Sequence, residues 1–280
     1  MHSKMHSKMH YTKKHTRKYT RKYTRKNTKI SRNSKDNISI LSYNISWESM
    51  SGKVKNWALC SNNTNPKNPK HSSVCVSNIG KVINENPTDF ITLQEATDYK
   101  KLLRECPRLS KMEYKVHNSG LDVIVTFWDT KYKLHSNIVG YFEHERPWMA
   151  NIFTNGLCLI NVHFGHYNSN EEYKHLANMM KKLIARIEKE KEKDKINCNR
   201  YIISGDFNYD IKDFGDKKSI INLDGIRFYH HPKHILTCCI SRRCHNDHVI
   251  DSYKSPLDIN IPNVDYMASD HKPIIAVLHY

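Results

Sequence analysis

No stretch of the 280-residue chain approaches the roughly 20 consecutive apolar residues of a membrane-crossing helix, so no helical membrane span is expected. The N-terminus has no apolar h-region, and a secretory signal is therefore not expected either. Eight Cys without such a signal read as reduced thiols rather than as a disulfide framework. The first 35 residues hold no acid at all, against 13 Lys and Arg. The rest of the chain carries 32 basic and 28 acidic residues, so the formal charge of +17 is mostly a property of the N-terminal arm. That arm is nearly free of apolar residues and cannot form the amphipathic face of a mitochondrial transit peptide. A soluble intracellular protein is expected, nuclear or cytoplasmic rather than mitochondrial, with a monomer as the default.

The arm is a degenerate four-residue repeat: MHSK twice, then Thr16-Arg17-Lys18, Thr20-Arg21-Lys22 and Thr24-Arg25-Lys26. Like charges at this density repel, and little is available to bury, so residues 1–36 are expected to be disordered. Tyr19 and Tyr23 are interleaved with the cations and could stack on bases, so nucleic acid is the expected partner of the arm, the alternative being a solvated low-complexity extension with no dedicated partner.

Residues 37–280 are enough for one ordinary domain. Strand-like runs occupy Ile38 to Ile45, Phe90 to Leu93, Val123 to Trp128, Ile138 to Phe142, Met149 to Phe153, Leu157 to Val162, Tyr201 to Ser204, Val249 to Ser252 and Pro273 to Tyr280. Between them, 48–73 reads as a long surface loop. Val76, Ile79, Val82 and Ile83 are at helical spacing ahead of Pro87. Ser169 and Glu172 form a capping box for a helix striped by Tyr173, Leu176, Met180, Leu183, Ile184 and Ile187. Many short strands with few helices predict an α/β fold in which two sheets pack on each other with helices outside.

Five segments put acids, amides and His near the ends of these strands: Ser42-Tyr43-Asn44-Ile45, Leu93-Gln94-Glu95, Asn161-Val162-His163, Ser204-Gly205-Asp206-Phe207-Asn208 and Ser269-Asp270-His271-Lys272-Pro273. Each alone is ordinary; an Asp-x-Asn after Gly, for instance, usually only makes a turn. In this order, and joined by Glu145-Arg146-Pro147 and Asp247-His248-Val249, they resemble the endonuclease/exonuclease/phosphatase (DNase I-like) superfamily over residues 37–280.

The resemblance implies a four-layered α/β sandwich, two packed mixed β-sheets flanked by helices, and a divalent-metal-dependent hydrolase of phosphate esters. It implies Mg²⁺ as the ion, with Mn²⁺ able to substitute, held by Glu95 with Asn44 beside it and Asp270 contributing. A hard cation with oxygen ligands offsets the charge of the phosphate and of a poor leaving alkoxide. By the same resemblance Asp206 orients or deprotonates the attacking water and Asn208 donates an amide hydrogen. His271 faces the phosphate, Asp247 fixes its tautomer, His163 is a second His at the phosphate, and Arg146 supplies a fork-shaped cation. His230, His231, His234, Cys238, Cys239, Cys244, His245 and His248 also crowd together, but without clean zinc-finger spacing they read as a variable surface loop near the site.

Departures from the family's branches narrow the reading. The start motif of apurinic endonucleases and the Thr-Asn of tyrosyl-DNA phosphodiesterases are missing. Inositol polyphosphate 5-phosphatases carry Trp-Cys-Asp-Arg where this chain has Asn246-Asp247-His248. A nuclease cutting phosphodiester bonds in nucleic acid is the leading expectation, favoured by the basic arm. A phosphomonoesterase of an inositol phosphate or other small phosphorylated ligand is the alternative. A catalytically dead binding scaffold is disfavoured by the intact set of acids and His.

Overall fold

In the first strand, β1 (Ile38–Asn44), even-numbered side chains face one way and odd-numbered ones the other, as the two-residue period of a strand requires. Ile38 and Ile40 join one apolar cluster, while Leu41 and Tyr43 join another. A strand buried on both faces has to lie between two layers, and the neighbouring strands repeat the pattern. The computed structural model describes residues 37–46, 71–120, 122–166, 172–195, 197–211, 220–223, 225–230, 236–238, 244–254, 257–262 and 269–279. The basic arm and most of the 48–73 segment lie outside these.

Along the chain, β1 is followed by α1 (His71–Glu85), β2 (Phe90–Gln94), α2 (Tyr99–Glu105), β3 (Glu113–Asn118), β4 (Val123–Trp128), β5 (Leu134–Tyr141), β6 (Pro147–Phe153) and β7 (Leu157–His163). Then come α3 (Glu172–Asp194), β8 (Arg200–Asp206), β9 (Ile220–Leu223), β10 (Ile226–His230), β11 (Asp247–Asp251), β12 (Leu257–Asn260) and β13 (Ile274–Leu278). The strands form a six-stranded sheet, β12-β13-β1-β2-β4-β3, and a seven-stranded sheet, β5-β6-β7-β8-β11-β10-β9. Both are mixed: β1–β2 and β7–β8 are parallel and the other pairs are antiparallel.

Three apolar clusters make four layers. Val76, Ile79, Val82 and Ile83 of α1 pack with Leu41, Leu93 and Phe127 on the outer face of the first sheet. Leu176, Met180, Leu183, Ile184 and Ile187 of α3 cover Ile160, Val162 and Ile203 on the outer face of the second. Between the sheets lie Ile40, Phe90, Trp128, Phe153, Leu159, Ile202 and Ala276. Each large apolar side chain fully buried there adds roughly 1.5–3 kcal/mol. The expected four-layered sandwich is what the chain forms. The α1 helix ends two residues before Pro87, and α3 begins at Glu172, while Ser169 of the expected capping box lies outside the described residues.

The inter-sheet layer changes character along the strands. Beyond the apolar half, the inward positions are Ser42 and Asn44, Thr92 and Gln94, Thr126, Asn161 and His163, and Ser204 and Asp206, all buried. Thr92 Oγ1 and Ser204 Oγ are 2.8 Å apart across the layer, and Gln94 Nε2 donates to Asn161 Oδ1 at 2.8 Å. Asn161 Nδ2 reaches the Leu93 carbonyl oxygen at 3.2 Å and that of Val125 at 3.1 Å. An orphaned buried polar group costs about 1–3 kcal/mol, so these pairs fix how one sheet sits on the other. The polar half ends at the candidate site.

The expectation of reduced thiols holds for Cys106 and Cys244 and fails for Cys158 and Cys198. Cys158 in β7 and Cys198, just before β8, form a disulfide with Cα atoms 5.8 Å apart. Cys106 and Cys244 are free thiols. Pairing of parallel neighbours brings Cys158 and Cys198 together across forty residues of sequence, which Cys spacing alone does not reveal.

Candidate active site

Strand direction brings the polar residues to one end. β1, β2, β7 and β8 all finish there, at Asn44, Gln94, His163 and Asp206. Their antiparallel neighbours β4, β6, β11 and β13 start there, which delivers Asp122, Arg146, Asp247 and the 269–272 turn to the same rim. Gly205 allows the closest approach. Its φ is +151°, and a Cβ on it would lie 2.0 Å from the Val162 carbonyl oxygen, so no larger residue fits between Ser204 and Asp206.

Asp206 is central. Its Oδ1 accepts the Asn208 backbone N–H at 2.7 Å, the turn expected of an Asp-x-Asn sequence. Its Oδ2 accepts Asn44 Nδ2 at 2.9 Å and lies 3.7 Å from both His163 Nε2 and His271 Nε2. Each imidazole is backed by a buried carboxylate on its other nitrogen. Asp247 Oδ2 is 2.9 Å from His271 Nδ1, and Asp122 Oδ2 is 2.5 Å from His163 Nδ1. Two Asp–His pairs therefore flank one aspartate. Glu95 stands beside them, with Oε1 3.2 Å from Asn44 Nδ2 and 3.7 Å from His163 Nε2. Glu95 has φ +54° and Asn208 φ +50°, left-handed backbone rarely adopted by non-glycine residues.

The charges follow from these contacts. Burial pushes the His271 pKa down, but the Asp247 and Asp206 carboxylates outweigh it and raise it to about 10. Burial likewise opposes charge on His163, yet Asp122, Asp206 and Glu95 raise its pKa above the ordinary value. Burial favours the neutral form of Asp122, but His163, with Arg146 behind it, holds the carboxyl below the usual range. His271 is thus cationic near neutrality, and the carboxylates around His163 favour its charged form. Arg146 Nη1 adds a permanent cation, 3.2 Å from both ring nitrogens of His163 and 3.4 Å from Asp122 Oδ2.

Every residue expected from the sequence lies at this end, but not all in the expected posture. Asn44 turns its donor nitrogen toward Glu95 and Asp206 and its oxygen to the Ser46 N–H at 2.9 Å. So turned, its amide nitrogen is a clasp between two acids. Asn208 spends one amide hydrogen on the Phe164 carbonyl oxygen at 2.7 Å. Asp270 receives Ser269 Oγ at 3.5 Å on the His271 side of the site. Asp122 was missed by the sequence reading; the only sign of it is an acid directly before an apolar strand. His166, also missed, feels Asp206 and Glu95 through space.

The donor set suits a hard divalent cation. The carboxylates of Asp206 and Asp247 place oxygens within 4.8 Å of each other and of a His271 ring nitrogen, and Asp247 Oδ1 is buried with no hydrogen-bond partner. The described part of the His/Cys-rich segment does not converge as a zinc site would. His248 Nε2 donates to the Tyr209 and His245 carbonyl oxygens, both at 2.8 Å, and burial lowers its pKa to about 4. Cys238 Sγ lies instead 3.3 Å from His271 Nε2. His231, His234 and Cys239 are outside the described residues.

No protein-family model matches the chain. It is 33% identical over 262 residues to an uncharacterized protein of Acanthamoeba polyphaga mimivirus, covering 85% of this chain and 50% of that protein. The chain therefore spans about half the length of the curated relative it matches. Among solved structures it is similar to an endonuclease/exonuclease/phosphatase from Bacteroides vulgatus, with TM-score 0.56 and 14% identity over 88% of this chain and 99% of that one. The chain has the endonuclease/exonuclease/phosphatase fold. The same DNase I-like architecture relates it to Caenorhabditis elegans TDP2, with TM-score 0.60 and 12% identity over 87% of this chain and 98% of that one. It is also similar to ANGEL2, a 2′,3′-cyclic phosphatase in complex with adenosine-2′,3′-vanadate, with TM-score 0.62 and 15% identity over 86% and 95%. In this fold the acid and imidazole cluster stands at the shared end of the two sheets. No helix among the described residues is long and apolar enough to cross a membrane.

Proposed function

We propose that the chain is a divalent-metal-dependent phosphoesterase whose preferred substrates are phosphodiester bonds of nucleic acid. The observation that carries this reading is Asp206 held between two carboxylate-backed imidazoles, with Glu95 and Arg146 at the same rim. Two imidazoles and a guanidinium around a buried carboxylate fit a tetrahedral anion with a water beside it. Glu95 would hold a cation such as Mg²⁺ or Mn²⁺, with Asp270 contributing, and the ion when bound would neutralise the phosphate and stabilise the leaving oxygen.

The chain's own groups have separable tasks. Asp206 Oδ2 orients the attacking water and accepts its proton, with Asn44 holding the carboxylate in place. His271, kept protonated by Asp247, binds a phosphate oxygen and donates toward the leaving group. His163, backed by Asp122, binds a second phosphate oxygen, and Arg146 spreads charge onto the same group. Support for an RNA-like or DNA-like substrate comes from the 13 cations of the arm and from the nucleotide named with ANGEL2.

The test is a panel: purified chain with Mg²⁺, Mn²⁺ or EDTA against DNA, RNA, bis-p-nitrophenyl phosphate and inositol phosphates. Metal-dependent cleavage of polymer with kcat/KM far above that for inositol phosphates is expected. Efficient release of phosphate from an inositol phosphate without nicking of DNA or RNA favours a phosphomonoesterase instead.

A further inference from the structure

We propose that Thr237 is the positioning residue that sets the His271–Asp247 pair against Asp206, an inference that rests on the phosphoesterase reading. Thr237 lies within the His/Cys-rich segment, is buried, and touches both halves of the pair through the backbone. Its Oγ1 accepts the backbone N–H of Asn246 at 3.2 Å and of Asp247 at 3.1 Å. Its carbonyl oxygen accepts the Lys272 N–H at 2.6 Å, directly after His271, and its own N–H donates to the Cys244 carbonyl oxygen at 3.0 Å. The next residue, Cys238, bridges to His271 as a short antiparallel pair and places its sulfur 3.3 Å from His271 Nε2.

These bonds close a gap that the sheets leave open. Asp247 begins β11 in the second sheet, while His271 precedes β13 in the first, so no strand ladder joins them. The segment around Thr237 is pinned to both at once. The hydroxyl fixes the start of β11, the carbonyl fixes the 269–272 turn, and the Asn246 carbonyl oxygen accepts the Phe207 N–H at 2.7 Å beside Asp206. Removing the hydroxyl leaves two buried N–H groups unpaired, at the one place where a small shift changes how His271 Nε2 faces Asp206.

The comparison is between Thr237→Val, which keeps the shape and removes the acceptor, and Thr237→Ser, which keeps the acceptor. With bis-p-nitrophenyl phosphate, Thr237→Val is expected to lower kcat by about 10-fold or more with KM nearly unchanged, and Thr237→Ser to restore most of it. The far-downfield proton NMR resonance of His271 Nδ1–H, hydrogen-bonded to Asp247, should shift or broaden in Thr237→Val and persist in Thr237→Ser. Thr237→Ala, which removes the same acceptor, carries the same expectation should the Val variant fail to fold. Wild-type kcat and an unchanged resonance without the hydroxyl overturn the inference, as does a Ser variant no better than Val. A wild-type chain inactive on every phosphoester sinks the phosphoesterase reading, and the resonance then still decides the role of Thr237.

Discussion

Replacing Asp122 by Asn probes the half of the site that only the structure reveals. The substitution keeps the shape and a hydrogen-bond acceptor for His163 Nδ1 but removes the charge 2.5 Å away. Both side chains are almost wholly buried, at 1% and 5% exposure, so solvent cannot replace the lost charge. Breaking such a pair costs about 3–5 kcal/mol. Asp206 and Glu95, each with an oxygen 3.7 Å from Nε2, retain part of the attraction, which places the loss near the lower end, about 3 kcal/mol. For a domain of this size that is a Tm lower by about 6–12 °C.

The difference should depend on pH in a defined way. The raised His163 pKa contributes stability that is fully present below the ordinary value of about 6.5 and is lost as pH rises through the folded value. The lowered Asp122 pKa describes the same bond from its acid side, where stability is lost as pH falls below about 3.9 toward the folded value. Thermal melts of both proteins from pH 3 to pH 10 should therefore show the widest gap between those limits and convergence beyond them. Because His163 loses charge and fixed orientation, kcat on a small diester should fall by about 10²-fold. A Tm within about 2 °C of wild type at pH 6, with unchanged kcat, would falsify the claim that Asp122 favours the charged form of His163 and fixes its orientation.

Two other histidines should shape the whole stability curve. His271, raised to about 10, contributes stability that is lost as pH climbs from about 6.5 to about 10; His248, lowered to about 4, contributes stability lost as pH falls from about 6.5 to about 4. Urea denaturation across pH 4–10 should show a maximum near pH 6–7, and a flat curve would contradict both assignments. Gly205→Ala should destabilise the fold by several kcal/mol, on the order of 3–5, since its Cβ meets the Val162 carbonyl at 2.0 Å; a melt unchanged from wild type would show that β7 and β8 can part.

Much of the site was readable in the sequence because strand ends are readable. Asn44, Glu95, His163 and Asp206 each close or follow an apolar run, and parallel pairing of those runs carries them to one end. Asp122 was hidden because it sits in Ser119-Gly120-Leu121-Asp122, which looks like any polar turn, and its partner His163 is 41 residues away. The polar half of the inter-sheet layer was hidden for a related reason. Thr92, Gln94 and Asn161 look like interruptions of hydrophobic strands until their opposing partners are known. Among the elements, β3 was missed because only His117 in it is buried, and Glu-Tyr-Lys-Val-His-Asn gives no apolar alternation. The seven-residue α2 is too short for a helical stripe to stand out.

The central claim is that Glu95 serves a metal ion while His271 serves the phosphate, and one titration separates the two. Activity on bis-p-nitrophenyl phosphate is measured for wild type, Glu95→Gln and His271→Ala as Mn²⁺ is raised from limiting to saturating. Both variants should start at least ~10²-fold below wild type, after which Glu95→Gln should recover part of its loss while His271→Ala stays flat. Near-normal activity of Glu95→Gln in limiting metal, or equal rescue of both variants, would contradict the account.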